Sequence, residues 1–197
     1  KHVIDFFCRD QNDVEFIWHG GEPLLAGLEF YREAVEIQHT WEKRGKNITN
    51  FLQTNATLIT PEWTRFFSEN NFLIGVSLDG PKELHDQVRS YSTDKGSYDD
   101  VMKGIELLRH AEIFNGIICD ISTVNHNSPE EIFNFFIAKN IKKLKFTRVK
   151  NIGHCSNVSS LVILPAQYTD FMIAIFNRWL ELDDPEVEIR DIQSVIN

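Results

Sequence analysis

An apolar run reads Phe72-Leu-Ile-Gly-Val-Ser-Leu78, and it passes directly into the polar turn Asp79-Gly80-Pro81. A run of this length, bounded by turn residues, is typical of a strand that is buried on both faces. Such strands occur where helices cover both sides of a parallel sheet. We therefore expect this stretch to be an inner strand of an α/β fold.

Helical and strand patterns alternate on both sides of this run. Further strands are predicted over Val14–Trp18, Phe51–Thr54, Gly116–Val124, Leu144–Val149 and Val187–Arg190. Helices are predicted over Leu28–Arg44, from Pro61 with Thr60 as cap, from Ser97 as cap to about His110, from a capping-box pattern at Ser128–Glu131 to about Asn140, and over Pro165–Leu182. This repetition predicts a parallel sheet, open or closed into a barrel, in a single domain over residues 1–197.

Composition narrows the class of protein and its partners. The 197 residues carry a net charge of −9, which argues against a nucleic-acid partner, because phosphate binding needs a basic surface. No apolar stretch approaches the roughly 20 residues of a membrane span, and no signal peptide begins the chain, so we expect a cytoplasmic protein without a membrane partner. The three cysteines, Cys8, Cys119 and Cys155, are too far apart for a cluster motif.

Polar residues follow four of the first five predicted strands, and ligand sites in α/β folds collect at these strand ends. The first such segment is Gly20-Gly21-Glu22-Pro23. Two glycines permit positive φ angles and a close approach of main chain to a ligand, and the carboxylate of Glu22 would suit an ammonium group. The alternative is a tight turn in which Glu22 is an exposed charge at a helix N-terminus.

A second polar segment ends the strongest strand. Ser77 and Asp79 share one face by strand alternation, so Ser77 could bond a carboxylate and Asp79 could orient a partner. Arg89 follows twelve residues after Ser77 and could hold a carboxylate bidentately. The alternative is a surface arginine paired with Asp86 or Glu83.

The remaining polar residues at strand ends carry weaker signals. Thr54 and Asn55 could bond hydroxyl groups or a base edge, or they could form an Asx turn. His19 and His85 have no partner at metal-ligand spacing, and a histidine alone is more often structural than catalytic. The fold alone would also allow a TIM-like hydrolase that uses two carboxylates as acid and base.

Several segments together resemble radical S-adenosylmethionine (SAM)/SPASM maturases in order and spacing. These segments are Trp18–Phe30 with its WHGGEPLLAG stretch, Leu52–Ile59, Gly75–Pro81, His85–Arg89 and Gly96-Ser97. The resemblance includes anaerobic sulfatase-maturating enzymes and the peptide cross-linking, cyclophane-type maturases. It implies a partial (β/α)6 radical SAM barrel, incomplete at the N-terminus.

The resemblance also implies a set of SAM-binding residues. Gly20, Gly21 and Glu22 match the loop that meets the amino group, and Ser77 and Arg89 match positions that hold the carboxylate. The whole expected set is His19, Gly20, Gly21, Glu22, Asn55, Ser77, Asp79, Arg89 and Ser122, with Ser122 beside the adenosine. No catalytic residue is assigned.

Two departures from the family pattern stand out. Ala56 replaces the usual glycine after Thr54-Asn55, and a site that requires positive φ would be strained by alanine. The family's CxxxCxxC loop, which ligates a 4Fe–4S cluster, is not in this chain, and Cys8 matches a helix position instead. We therefore expect a fragment whose cluster ligands, and a SPASM region with auxiliary clusters, lie outside it.

The resemblance implies a radical SAM peptide or protein maturase for the parent protein. A 5′-deoxyadenosyl radical would abstract hydrogen from a substrate side chain, and the WHGGEPLLAG stretch favours cross-linking in a ribosomal peptide. The alternatives are oxidation of Ser or Cys to formylglycine in a sulfatase, an inert or merely SAM- or peptide-binding barrel fragment, and a hydrolase using Glu22 and Asp79. The implied partners are a peptide or protein substrate and an electron donor such as flavodoxin or ferredoxin.

Overall fold

The computed structural model describes residues 1–91, 93, 95–150 and 158–196, so Cys155 lies outside the described part. The strands are β1 Asp13–Trp18, β2 Asn47–Thr54, β3 Phe72–Ser77, β4 Phe114–Ile121, β5 Lys143–Arg148 and β6 Glu188–Ile189. The helices are α1 His2–Asp10, α2 Leu28–Glu42, α3 Pro61–Glu69, α4 Lys82–Val88, α5 Tyr98–His110, α6 Pro129–Ala138, α7 Pro165–Leu182 and α8 Arg190–Ile196. Short 3₁₀ turns occupy Pro23–Ala26 and Val158–Leu161.

The six strands follow one another in the sheet in chain order. The pairs β1–β2, β2–β3, β4–β5 and β5–β6 are all parallel, with Trp18 opposite Leu52 and Ile117 opposite Leu144. This arrangement confirms the predicted parallel α/β fold. The chain forms two compact units, unit 1 with Lys1–Val76 and Lys103–Asn115, and unit 2 with Ser77–Met102 and Gly116–Asn197. That both belong to a single domain stays a prediction.

The core of unit 1 is built around Tyr31 on α2, whose side chain is 1% exposed. Its ring makes edge contacts with Trp18, Trp63, Phe67 and Phe72 at centroid separations of 5.4, 5.6, 6.0 and 6.2 Å. Aromatic packing of this kind adds to the stabilisation from apolar burial. The cluster fixes α2 and α3 against the strands that carry the polar loops of unit 1.

The core of unit 2 joins α6, β5 and α7. Phe136, Phe146 and Phe171 are all at most 1% exposed, with ring centroids 6.5 and 5.5 Å apart along the series. Asp191 at the start of α8 accepts the Phe146 amide at 2.9 Å, so this helix is tied to β5. Among the described helices, none combines the length and apolar character needed to cross a bilayer.

Helix starts agree with the sequence prediction in most cases. The hydroxyl of Thr60 accepts the Trp63 amide at 3.4 Å, which confirms the predicted cap of α3. The capping box predicted at Ser128 is wrong, since the Ser128 side chain makes no capping hydrogen bond. The ring of Pro129 at the first helical position supplies a fixed φ, and α6 begins without that box.

Candidate functional site

The loop after β1 exposes bare main chain. Gly20 and Gly21 have φ angles of 110° and 55°, which confirms the predicted positive φ conformations. A Cβ atom built at either glycine would have no described atom within 4 Å, so the loop faces open space. The preceding His19 is exposed. This loop therefore offers a ligand its peptide groups without obstruction from side chains.

The carboxylate of Glu22 ties this loop to the loop after β2. Its Oε1 accepts the Leu24 amide at 3.0 Å and the Thr54 hydroxyl at 2.8 Å, and its Oε2 accepts the Asn55 amide at 2.9 Å. The alternative is confirmed in placing Glu22 at a helix start, since Glu22 caps the 3₁₀ turn Pro23–Ala26. It is wrong about exposure, because Glu22 is half-buried and bonded to a neighbouring strand end. A carboxylate has about four lone-pair positions, so about one is left for a ligand.

Tyr31 supports the same loop from the core of unit 1, and no sequence pattern indicated this role. Its hydroxyl donates to the main-chain oxygen of Pro23 at 3.0 Å. Burial, with a further contribution from Glu22, raises the pKa of Tyr31 to about 12, so the phenol remains a proton donor at neutral pH. The tyrosine thus joins the aromatic core of unit 1 to the loop that carries Glu22.

The segment after β2 forms a tight turn. The side-chain oxygen of Asn55 accepts the Thr57 amide at 3.0 Å, so the Asx-turn alternative is confirmed. Ala56, at the family's glycine position, has a φ of 58° and is 1% exposed, so alanine here adopts the positive φ that glycine accommodates more easily. Gly104 on α5 provides the room, since a Cβ there would lie 2.4 Å from the Ala56 oxygen.

In unit 2, Arg89 lies between two aspartates. Its Nε and Nη2 donate to the two carboxylate oxygens of Asp79 at 2.6 and 3.3 Å, and Nη2 also donates to Asp120 at 2.8 Å. The Thr147 hydroxyl donates to the other oxygen of Asp120, and the Asp120 amide donates to Asp79 at 2.9 Å. Asp79 thus orients Arg89, and no sequence pattern indicated a role for Asp120.

The alternative in which Arg89 pairs with Asp86 or Glu83 is wrong. The helix α4 intervenes between Asp79 and Arg89, and it returns the guanidinium to the end of β3. Asp86 instead accepts the Tyr98 amide at 2.9 Å and pairs with Lys82 at 3.0 Å. Asp86 therefore accepts a hydrogen bond from the first residue of α5, the helix for which the sequence predicted Ser97 as the cap.

Burial dominates the electrostatics of this cluster. It raises the pKa of the Asp79 carboxyl, whose side chain is 3% exposed, although the Arg89 guanidinium opposes that shift. Burial also disfavours charged Arg89, but Asp79 and Asp120 outweigh it and raise the pKa of the guanidinium. Within the described residues Nη1 of Arg89 donates no hydrogen bond, so this nitrogen can bind an anionic ligand group.

His85 is fully buried beneath this cluster and acts structurally, as expected. Its Nδ1 accepts the Asp79 amide at 3.2 Å, and its Nε2 faces the Ser97 hydroxyl at 3.0 Å. That hydroxyl donates to the main-chain oxygen of Arg89 at 2.8 Å, so Nε2 must be the donor and the ring is neutral. Burial, assisted by the Arg89 charge, lowers the pKa of His85 to about 4.

The loop after β4 is held by Asn125, which the sequence analysis also missed. Ser122 is 2% exposed, its amide donates to the Asn125 side chain at 2.8 Å, and its hydroxyl accepts the Val124 amide at 3.2 Å. The hydroxyl of Ser122 is therefore engaged within its own loop. Ser77 is half-buried at the end of β3.

The predicted site residues fall into two groups. Glu22 and Asn55 are brought into direct contact in unit 1, as Asp79 and Arg89 are in unit 2. Among the described residues, no group of three His, Cys, Asp or Glu could hold a metal ion. Cys8 and Cys119 are each fully buried, and burial raises the pKa of both thiols. The described side chains thus do not fit a 4Fe–4S cluster.

Each unit therefore carries polar side chains at the carboxyl ends of parallel strands, as α/β enzymes do. A family model for the radical SAM superfamily matches residues 2–136. The chain belongs to this superfamily. Membership confirms the predicted class, and SAM with a 4Fe–4S cluster as the cofactors of that class.

The chain is similar to two curated enzymes. It is 35% identical to the serine-type anaerobic sulfatase-maturating enzyme of Bacteroides thetaiotaomicron, over 93% of this chain and 48% of that enzyme. It is 31% identical to the cysteine-type anaerobic sulfatase-maturating enzyme of Clostridium novyi, over 97% of this chain and 52% of that enzyme. The chain thus spans about half the length of these relatives.

A solved structure shares the fold at the same level of similarity. Native anSMEcpe with bound AdoMet and the Kp18Cys peptide matches with a TM-score of 0.86 and 30% identity, over 97% of this chain and 54% of that one. This match confirms the predicted partial radical SAM barrel.

Proposed function

We propose that the protein containing this chain is a radical SAM maturase that oxidises a serine or cysteine of a sulfatase to formylglycine. The single observation that supports this most is the 35% identity to a serine-type sulfatase-maturating enzyme across 93% of the chain. Peptide cross-linking, which the WHGGEPLLAG stretch favoured, has less support, because the similar curated enzymes named above are sulfatase-maturating enzymes.

The structure of each loop suits a different part of SAM. We assign the ammonium group to the loop of unit 1, where Gly20 and Gly21 expose main-chain groups and Glu22 retains acceptor capacity. We assign the carboxylate to unit 2, where Nη1 of Arg89 donates no hydrogen bond to a described residue and Ser77 ends β3. His19, Asn55 and Ser122 stay proposed contributors, with Ser122 assigned to the adenosine side and Asp79 to the support of Arg89.

When bound and reductively cleaved, SAM supplies a carbon-centred radical that removes a hydrogen atom from the substrate side chain. Oxidation of either side chain removes two hydrogen atoms in all, so after that abstraction a proton would leave to solvent and an electron to an acceptor such as the expected auxiliary clusters. Serine then carries the aldehyde directly, whereas the thioaldehyde formed from cysteine must add water and release hydrogen sulfide to give formylglycine. We propose that an electron donor such as flavodoxin or ferredoxin supplies the reducing electron. The cluster ligands and any auxiliary clusters are assigned to residues outside the described ones.

The test is an anaerobic assay of the full-length protein with two peptides that differ only in a Ser or Cys at the target position. Formylglycine is an aldehyde, so a hydrazide reagent must label the product, and mass spectrometry must place the label on the target residue. A cross-linked product loses two hydrogen atoms, as the formylglycine product of the serine peptide does, but it carries no aldehyde. Loss of two hydrogens without hydrazide labelling would therefore support cross-linking and contradict sulfatase maturation.

A further inference from the structure

We infer that Asn125 is a positioning residue for Arg89, because its buried amide joins the two strand ends whose aspartates hold the guanidinium. The inference rests on the proposed function in one respect, namely that Arg89 binds the carboxylate of SAM. Asn125 itself does not touch the guanidinium. It would act on ligand binding through the placement of Asp79 and Asp120.

The hydrogen bonds of Asn125 connect three points of unit 2. Its Nδ2 donates to the main-chain oxygen of Asp120 at 2.9 Å and to that of Asp79 at 3.3 Å. Its Oδ1 accepts the amide of Ser122 at 2.8 Å. The side chain is 1% exposed, so both amide protons and the oxygen are committed to the protein. A turn residue on the surface would not need these bonds.

These bonds fix the distance between the two carboxylates. Asp79 follows β3 and Asp120 lies in β4, and Asn125 is bonded to the backbone oxygen of each. Both carboxylates accept hydrogen bonds from Arg89. Nε and Nη2 of Arg89 donate to Asp79, and Nη2 also donates to Asp120. Because the hydrogen bonds that Arg89 donates to Asp79 and Asp120 depend on this spacing, a shift of either strand end would rotate the guanidinium. Nη1 would then no longer keep its present orientation.

The orientation of Arg89 should affect recognition of the SAM carboxylate only. A guanidinium held at two of its nitrogens presents the third in a fixed direction, and that geometry favours a single carboxylate oxygen. Loss of the Asn125 amide donor, with an oxygen kept as acceptor for the Ser122 amide, should therefore weaken binding of ligands that carry the carboxylate. It should leave the binding of the adenosine and ammonium parts nearly unchanged. A purely structural role would weaken all ligands equally.

The experiment compares SAM with decarboxylated SAM, which lacks only the carboxylate. Affinities are measured by calorimetry on the full-length protein after an iron chelator has removed the cluster, so that only protein groups can recognise the carboxylate. The wild-type protein should prefer SAM by about tenfold, the value of one charge-assisted hydrogen bond.

Asn125→Asp places an acceptor against two carbonyl oxygens and should remove this preference. Asn127→Asp, an exposed site in the same loop, adds the same charge and should keep it.

The outcomes distinguish the positioning role of Asn125 from the assignment of the SAM carboxylate to Arg89. A wild-type preference that persists in a folded Asn125→Asp variant overturns the positioning role alone. Equal binding of both ligands by the wild type overturns the assignment of the carboxylate to Arg89, and the inference with it. If Asn125→Asp does not fold, Asn125→Ser, which carries no amide donor, decides in its place. In the wild type, the Asn125 side-chain amide protons should exchange slowly with solvent, and fast exchange would also refute the role.

Discussion

The two polar loops of this chain are fixed by different kinds of interaction. In unit 1, one carboxylate, that of Glu22, accepts three hydrogen bonds from neutral donors. In unit 2, Arg89 is held by the opposite charges of Asp79 and Asp120. The first loop thus depends on hydrogen-bond geometry, while the second depends on the balance of buried charges. The two should respond differently to substitution and to pH.

The physical reason is the cost of burial. A neutral hydrogen bond contributes about 1 kcal/mol net, and the loss of one partner costs about 1–3 kcal/mol. A buried charge that loses its partner costs about 3–5 kcal/mol, since water no longer compensates it. Asp79 is 2% exposed, whereas Glu22 is only half-buried. Substitutions in the unit 2 cluster should therefore have the larger effects.

The largest effect is expected for Arg89→Ala. This change leaves the Asp79 carboxylate buried without its partner, and we expect the free energy of unfolding to fall by about 3–5 kcal/mol in urea titrations. Adding Asp79→Asn to the same chain should recover a large part of the loss. Arg65→Ala, at an exposed position, is the matched control and should change stability by less than about 0.5 kcal/mol. A loss no greater than that of the control would contradict the buried ion pair.

The second effect is a loss of stability in acid that originates at His85. Its pKa is lowered from 6.5 to about 4, since the ring is buried and lies close to Arg89. Between these values the unfolded chain binds a proton that the folded chain does not. Stability from this residue is therefore complete above pH 6.5 and is lost as the pH falls towards 4, by about 3 kcal/mol in total.

The variant His85→Asn isolates this contribution. Asparagine keeps an acceptor for the Asp79 amide but cannot titrate, so the acid loss in urea unfolding between pH 7 and about 4.5 should be smaller in the variant. Titration of the carboxyl groups is common to both proteins and cancels in the difference. If both proteins lose stability in parallel over this range, the neutral state of His85 is not what limits stability in acid.

Much of the fold was predictable because it follows from apolar periodicity. The helix Pro165–Leu182 was predicted with its observed bounds, as a proline marks its start and its apolar positions repeat regularly. The strand β2 begins at Asn47, four residues before the predicted start, because the buried polar Asn50 interrupts the apolar pattern. Asn50 is satisfied by Gln38 and Trp18, and these partners are distant in the sequence.

The sequence predicted the candidate site only where its features depend on local backbone conformation. Positive φ angles at Gly20 and Gly21 follow from the residue type. The partners of Arg89 do not, since Asp120 lies 31 residues away and is recognised only once β3 and β4 are placed. The helix α4 was missed because its sequence, KELHDQV, is short and polar, and its one buried residue is His85.

The smallest of the three effects is expected for Glu22→Gln in unit 1. Glutamine is nearly isosteric, and its oxygen can replace Oε1, which accepts from Leu24 and Thr54. Its amide group then faces the Asn55 amide, so two donors oppose each other where a hydrogen bond existed. No charge is left without a partner, and the expected loss is about 1–3 kcal/mol in urea unfolding.

The control for this change is Glu29→Gln, whose side chain is 81% exposed in its pair with Arg32 and should contribute less than about 0.5 kcal/mol. Glu22→Gln should therefore exceed its control but remain below Arg89→Ala. A loss equal to that of Arg89→Ala would show that the Glu22 charge itself, rather than its three hydrogen bonds, holds the loop. The contrast between the two loops would then be one of degree, since both would depend on charge.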